Sequence, residues 1–349
     1  MDVQFSAEQR ALRDAAAKLA AELAGRWHRG RGPADVDPPV PDPAAWALVV
    51  DAGWLAMGLR EEHGGAGASA VDLGVVAEQL GYHAVPAPVL GTMIAAAQLE
   101  TSGAPAAVLE DVAAGTLRVA PALDPDLRSL AGDTDRGDAL AWDAAGAQAA
   151  LLPHTGRLYA LGAPVPYADL TRAVRPLGKP RPESFEPRIP DADTGDRLTA
   201  LALSLLVADL LGTMRAALDA ALAHARARRQ FGTLIGAFQA VQQLLADAHV
   251  LVESSRTAAY RAWWAVDALP GAEALRVARV AKAYASRSAV TVCETAVQVF
   301  GGIGMTWESP AHVWLRRAHA DRLVLGSERQ HHAVLAGGFA PAGNASGTV

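Results

Sequence analysis

Apolar residues recur along this chain in two rhythms, and the rhythm changes twice. Between residues 8 and 24, Leu12, Ala16, Leu19 and Leu23 step by four, three and four, which lays them on one helical face. Trp46 to Ala52 and Val71 to Leu80 predict further helices, with Gly53, the Gly64-Gly65 turn and Gly81 as stops. A proline-rich stretch from Gly32-Pro33 to Pro43 separates the first helix from the second. From 116 to about 190 the rhythm shortens. Leu117-Arg118-Val119-Ala120, Ala149-Ala150-Leu151-Leu152 and Arg157-Leu158-Tyr159-Ala160-Leu161 alternate with Gly, Pro and Asp, a pattern of strands and turns. After Asp193-Thr194 helical periodicity returns. Leu198, Leu201 and Leu205, then Leu211, Met214, Leu218 and Leu222, form long apolar stripes. Val241, Leu244, Leu245, Ala248 and Leu251 mark the next helix, and Pro270-Gly271 breaks the chain before a third.

These rhythms predict a mainly α protein with a small β-domain. The expected divisions are a helical N-terminal domain over 1–115, a shortened β-domain over 116–192 and a bundle of four antiparallel helices over 193–340. A disordered tail is expected over 341–349. At 349 residues the chain is long enough to bury more than one core.

Composition removes several function classes. Hydrophobic residues make up 51% of the chain, yet no uninterrupted apolar run of membrane-spanning length is expected, so no membrane insertion is read from it. The start, Met1-Asp2-Val3-Gln4-Phe5, lacks a basic region followed by an apolar stretch, which points to the cytoplasm. A net charge of -6 gives no case for nucleic-acid binding. The lone Cys293 lies in an apolar helical run and reads as a buried, inert thiol. His331 and His332 are adjacent and face different ways on a helix, and no Cys/His cluster has metal spacing, so no metal is expected.

The richest chemistry lies in Arg228-Arg229-Gln230-Phe231-Gly232, in Phe238-Gln239 and in Gln298-Val299-Phe300-Gly301-Gly302-Ile303-Gly304-Met305-Thr306-Trp307-Glu308. An arginine ending a long helix offers a planar, permanently charged fork for a pyrophosphate. A glycine pair lets backbone approach a phosphate or an adenine closely. Taken singly, each piece also has an ordinary reading: arginines sit on solvated faces and glycines stop helices.

As an ordered set these motifs resemble the C-terminal domain of the acyl-CoA dehydrogenase family. The opening segments agree: Phe5-Ser6-Ala7-Glu8-Gln9, Trp54-Leu55-Ala56-Met57-Gly58, Glu61-Glu62-His63-Gly64-Gly65-Ala66-Gly67 and Glu78-Gln79-Leu80-Gly81 resemble the family's first helices and the loop between them. The resemblance runs from about residue 4 to about 337 and is weakest over 117–190. It implies an FAD-dependent enzyme in which a carboxylate removes the α-proton of an acyl-CoA while the β-hydride passes to the flavin. It further implies that Arg228, Phe231 and Gln239 contact the pyrophosphate and adenosine side of an FAD whose ring lies mainly in a neighbouring subunit. Gln298, Gly301 and Gly302 would close on the same FAD from another helix end.

The chain departs from the family in two places. Members that hold a full flavin ring usually carry Thr-Glu-Pro, then Gly-Ser-Asp, then a Trp-Ile-Thr-like strand. Here the matching stretch is Val119-Ala120-Pro121-Ala122-Leu123-Asp124-Pro125, and Trp142 is flanked by Ala141 and Asp143. In Val324-Leu325-Gly326-Ser327, Leu325 stands where the catalytic glutamate commonly precedes Gly-Ser or Gly-Thr. The other base position falls near Ala202, among Leu201, Leu203 and Ser204. Asp209 and Glu328 are the nearest acids and read as structural more readily than as displaced bases.

Retained shared-cofactor residues without a base or a ring site resemble the base-lacking chains of heteromeric members that act on CoA esters of steroid side chains. Trp307-Glu308-Ser309-Pro310-Ala311-His312-Val313-Trp314-Leu315-Arg316-Arg317-Ala318 resembles a run common in that branch. The expectation is a subunit that completes a partner's active site. Two alternatives stay open: a self-sufficient homotetramer with a displaced base, and a non-catalytic structural or regulatory homologue. An acyl-CoA substrate, a dimer of dimers with another chain of the family and an electron-transfer flavoprotein as acceptor complete the expected partners.

Overall fold

The computed structural model describes residues 5–28, 40, 42–132 and 138–337. The tail expected over 341–349 and most of the proline-rich stretch lie outside the described residues.

Helix α1 (Ala7–His28) packs on α3 (Ala70–Tyr82), with α2 (Pro43–Asp51) between them in sequence. α2 begins with Asp42, whose carboxylate accepts from the Ala45 N–H at 2.7 Å and satisfies a free helix-start donor. α3 opens on a reciprocal Ser69–Asp72 capping box. α4 (Val89–Thr101) and α5 (Ala106–Ala113) follow, and both escape the apolar-stripe reading. α4 is buried nearly all round, so it has no polar face to make a stripe visible.

The middle segment closes into a five-stranded barrel. Strands β1 (Val119–Leu123), β2 (Leu140–Ala141), β3 (Ala149–Leu152), β4 (Arg157–Leu161) and β5 (Arg175–Ser184) are ordered β1-β2-β5-β4-β3. Closure leaves no open edge. The barrel is filled largely by alanine, with Ala120, Ala141, Ala144, Ala147 and Ala150 forming one small core.

After α6 (Ala192–Ala227), a short hairpin of β6 (Arg229–Gln230) and β7 (Thr233–Leu234) leads to α7 (Gln239–Ala268), α8 (Gly271–Phe300), α9 (Ala311–Leu323) and α10 (Glu328–Gly337). The C-terminal part is the expected helical bundle, with α6, α7 and α8 as its long helices and its fourth piece split in two. A left-handed loop at Leu325-Gly326 divides the last piece into α9 and α10. The α7 stripe also sits one position over from the expected one. Leu245, Ala248, Val252, Ser255 and Ala259 face inward, and Leu244 is 38% exposed.

α6 is the hub. It is long and apolar enough to cross a membrane by length and composition, as is the segment Gly271–Met305, although charges such as Asp209 and Arg215 interrupt the apolar run of α6. The apolar window of α6 is 89% buried against other parts of the chain, as the central helix of a core requires. It crosses α3 at two reciprocal glycines. A Cβ on Gly81 would lie 2.1 Å from the Asp209 carbonyl oxygen, and one on Gly212 would lie 1.9 Å from that of Glu78. Only glycine permits that backbone approach.

Candidate functional site

The first group of candidate residues is brought together at one end of the bundle. Arg228 is the C-cap of α6, and its N–H donates to the His224 carbonyl at 2.8 Å. Gln239 opens α7, whose N-terminus has no side-chain cap. Gln298 lies in the last turn of α8, and Gly301 is its C-cap. The His224 and Phe300 rings, 4.7 Å apart, join the ends of α6 and α8 directly. Arg228, Phe231, Gln239, Gln298, Gly301 and Gly302 are all exposed.

Two backbone features at this end are strained or open. Phe231 and Gly232 have φ values of 52° and 79°, as the central pair of a two-residue hairpin turn requires. Glycine is at ease there; a phenylalanine is not, and its ring is 93% exposed. Gly301 has φ 64° and ψ −142°, a region only glycine occupies readily, and nothing lies within 4 Å of a Cβ built on Gly301 or Gly302. Charge, free helix-start N–H groups and unobstructed backbone thus face outward together.

The other half of the picture lies around the first half of α6. Leu325, which the resemblance sets at the base position, is buried with φ 55°. Its N–H donates to the carbonyl of Leu127 at 2.8 Å, and Leu127 is itself left-handed at φ 60°. The Asp124 carboxylate organises the Leu127 loop by accepting from the Arg128 N–H at 2.8 Å and the Ser129 hydroxyl at 2.7 Å. From the opposite side, the fully buried Lys282 donates to the Gly326 carbonyl at 3.0 Å, the Arg322 carbonyl at 3.2 Å and the Ser286 hydroxyl at 3.0 Å. Burial pushes its pKa down to about 7. A cavity of about 370 Å³ beside this loop is lined by both Leu325 and Leu203, the latter next to the other position that the resemblance points to, Ala202. Neither bears an acid.

The two acids named from the sequence are engaged elsewhere. Glu328 accepts from Arg322 Nε at 2.8 Å, and that guanidinium holds its carboxyl below the usual range. Asp209 belongs to a buried ionic cluster that sequence reasoning missed as a unit. Arg172 donates to Asp321 at 2.6 Å and to Asp209 at 2.9 Å, and lies 3.5 Å from Asp143. Arg317 donates to Asp169 at 3.2 Å and to the carbonyls of Leu80 and Val85 at 3.3 and 3.2 Å. Asp143 also accepts from the Gly91 N–H at 2.8 Å. Burial opposes the Asp209 charge, but Arg172 and Arg317 outweigh it and hold its carboxyl low. Burial and the neighbouring Asp209 push the Asp321 pKa well up, against the pull of Arg172. The cluster ties α4, the barrel, α6 and α9 together; it is a joint between domains. Trp142, the counterpart of the family's flavin-side tryptophan, is 1% exposed and packs under Arg172 at 4.7 Å.

The sequence comparisons agree with this architecture. The family description "Acyl-CoA dehydrogenase, N-terminal domain" matches residues 6–115, and "Acyl-CoA dehydrogenase, C-terminal domain" matches residues 204–338. This chain belongs to the acyl-CoA dehydrogenase family. It is 31% identical over 336 residues to the acyl-CoA dehydrogenase IpdE2 of Mycobacterium tuberculosis, covering 93% of this chain and 94% of that one. Among solved structures it is similar in fold to a chain of the ChsE4-ChsE5 complex from Mycobacterium tuberculosis, with a TM-score of 0.80, 22% identity and coverage of 98% and 100%. It is also similar to PigA with FAD and proline, with a TM-score of 0.77, 21% identity and coverage of 97% and 99%.

FAD is the cofactor that family membership assigns, and the residues present fit one half of it. Arg228, the uncapped start of α7 and the open Gly301-Gly302 backbone suit a pyrophosphate and adenosine. The ring half does not fit: β1 is Val-Ala-Pro-Ala-Leu, buried throughout, and Trp142 is spent on Arg172. The two halves are also far apart, since Leu203 and Arg228 lie 25 residues apart on α6, roughly 37 Å at 1.5 Å per residue. One dinucleotide does not span that distance.

Proposed function

We propose that this chain is the base-lacking subunit of a heteromeric FAD-dependent acyl-CoA dehydrogenase, in which it completes the cofactor site of a partner chain of the same family. The observation that carries this reading is the contrast along α6. The cofactor-facing groups at Arg228 are kept and exposed, whereas the base position at Leu325 holds a side chain that cannot accept a proton. In the assembled enzyme the Arg228 guanidinium neutralises pyrophosphate charge. The backbone N–H groups at Gly301-Gly302 and the first N–H groups of α7 would donate to the phosphates and hold the adenosine in place. The flavin supplies the hydride acceptor for α,β-dehydrogenation of an acyl-CoA thioester, and the partner supplies the base. Similarity to a chain of the ChsE4-ChsE5 complex supports the heteromeric arrangement. A dimer of dimers is the assembly proposed, with electron-transfer flavoprotein as the acceptor.

Arg228→Ala tests the reading in the co-purified complex. Losing a charge-assisted pair costs roughly 1.5–3 kcal/mol, so FAD affinity is expected to fall about ten- to a hundredfold. Unchanged flavin affinity would remove Arg228 from the site.

A further inference from the structure

The cavity beside Leu325 has a chemistry of its own. Leu130, Leu203 and Leu325 form an apolar side, and Arg128, Arg279 and His331 form a polar one. Among the described residues that line it there is no carboxylate, so the lining itself carries positive charge. His331 is 4% exposed, with the Leu325 and Gly326 backbone against its ring, and its Nε2 makes no well-formed hydrogen bond. A buried imidazole nitrogen without a partner is costly unless something else supplies one. Arg279 enters no salt bridge among the described residues, whereas Arg128 already meets Asp126 at 3.2 Å on the outer rim. A planar guanidinium with free donors matches a carboxylate in a fork. At about 370 Å³ the space lies at the small end of ligand pockets.

We propose that this cavity is a binding site for a small organic carboxylate, with its carboxylate between Arg279 and His331 Nε2 and its hydrocarbon body on Leu203 and Leu325. The site needs no flavin, CoA or partner chain, so it stands or falls separately from the function proposed above. A short apolar acid satisfies both sides at once. A neutral analogue of the same shape leaves the arginine without its charge partner, and an inorganic anion leaves the leucines uncovered.

The test is isothermal titration of the full chain, without FAD, with hexanoate and with hexanamide. Hexanoate is expected to bind at least tenfold more tightly than hexanamide. Arg279→Gln is expected to remove that preference, and Arg261→Gln, on the outer face of α7, to leave it intact. Nitrogen NMR of the histidine side chains gives a second readout, taken on the unaltered chain. The His331 Nε2 resonance, assigned by its loss in His331→Gln, is expected to move with hexanoate and to stay in place with hexanamide. Equal binding of acid and amide, no binding of either, an Arg279→Gln chain that keeps its preference, or a His331 signal blind to hexanoate would each overturn the proposal.

Discussion

The two stretches of α6 are built on opposite rules. Around Asp209 the charges are buried and paired: two arginines meet four aspartates. Around Arg228 the charged and polar groups face solvent, a phenylalanine is held in a left-handed turn, and glycines leave open space. The first arrangement finds its ionic partners within the chain. The second leaves its groups to solvent, and under the function proposed above stability and function are carried by different parts of one helix.

The largest expected effect lies at the closed end. Arg172→Met removes the guanidinium shared by Asp209, Asp321 and Asp143 and leaves their carboxylates buried without it. Breaking such a pair costs roughly 3–5 kcal/mol, so urea unfolding is expected to shift far to lower denaturant or the chain to fail to accumulate. Arg228→Ala, in the same assay, is expected to stay within about 0.5 kcal/mol, as for an exposed substitution. Similar losses from the two variants would erase the contrast.

Acid should act on the closed end as well. Burial, with Lys282 and Arg279 nearby, pushes the His331 pKa down to about 4 from the ordinary 6.5. The unfolded chain then binds a proton that the fold refuses, so this stabilisation is complete above about pH 6.5 and is lost as pH falls toward 4. The full shift corresponds to a change on the order of 2–3 kcal/mol. His331→Gln is expected to flatten the stability profile in that window, and an unchanged slope would assign the acid sensitivity to other groups.

The smallest effect has the opposite sign. Phe231 occupies a left-handed turn position with its ring exposed, so Phe231→Asn removes strain at little cost in packing. A gain of up to about 1 kcal/mol is expected, accompanied by weaker FAD retention in the complex. A variant that loses stability on its own would show that the ring is needed within the chain.

The sequence made the second end far more legible than the first. Arg228, Gln239 and Gly301 sit at helix ends, and helix ends are marked by local pattern: the apolar stripe stops and a turn begins. The break at Pro270-Gly271 was readable for the same reason, and α7 and α8 meet there. The ionic cluster is not local. Arg172 and Asp321 are 149 residues apart, and no periodicity links them. Single charges within apolar runs, such as Asp209 between Ala208 and Leu210, were the only signal, and they show that a partner exists without showing which. α4 stayed hidden because a helix buried on all sides has no stripe, and the barrel strands were visible only as short apolar pieces between turns.

Flavin content tests the central claim most directly. The chain purified alone is expected to carry no FAD, because β1 is a buried Val-Ala-Pro-Ala-Leu strand and Trp142 packs under Arg172. Co-expressed with a base-carrying acyl-CoA dehydrogenase chain, it is expected to give a yellow complex with about one FAD for every two chains. A yellow, stoichiometrically loaded protein obtained from this chain alone would contradict the account.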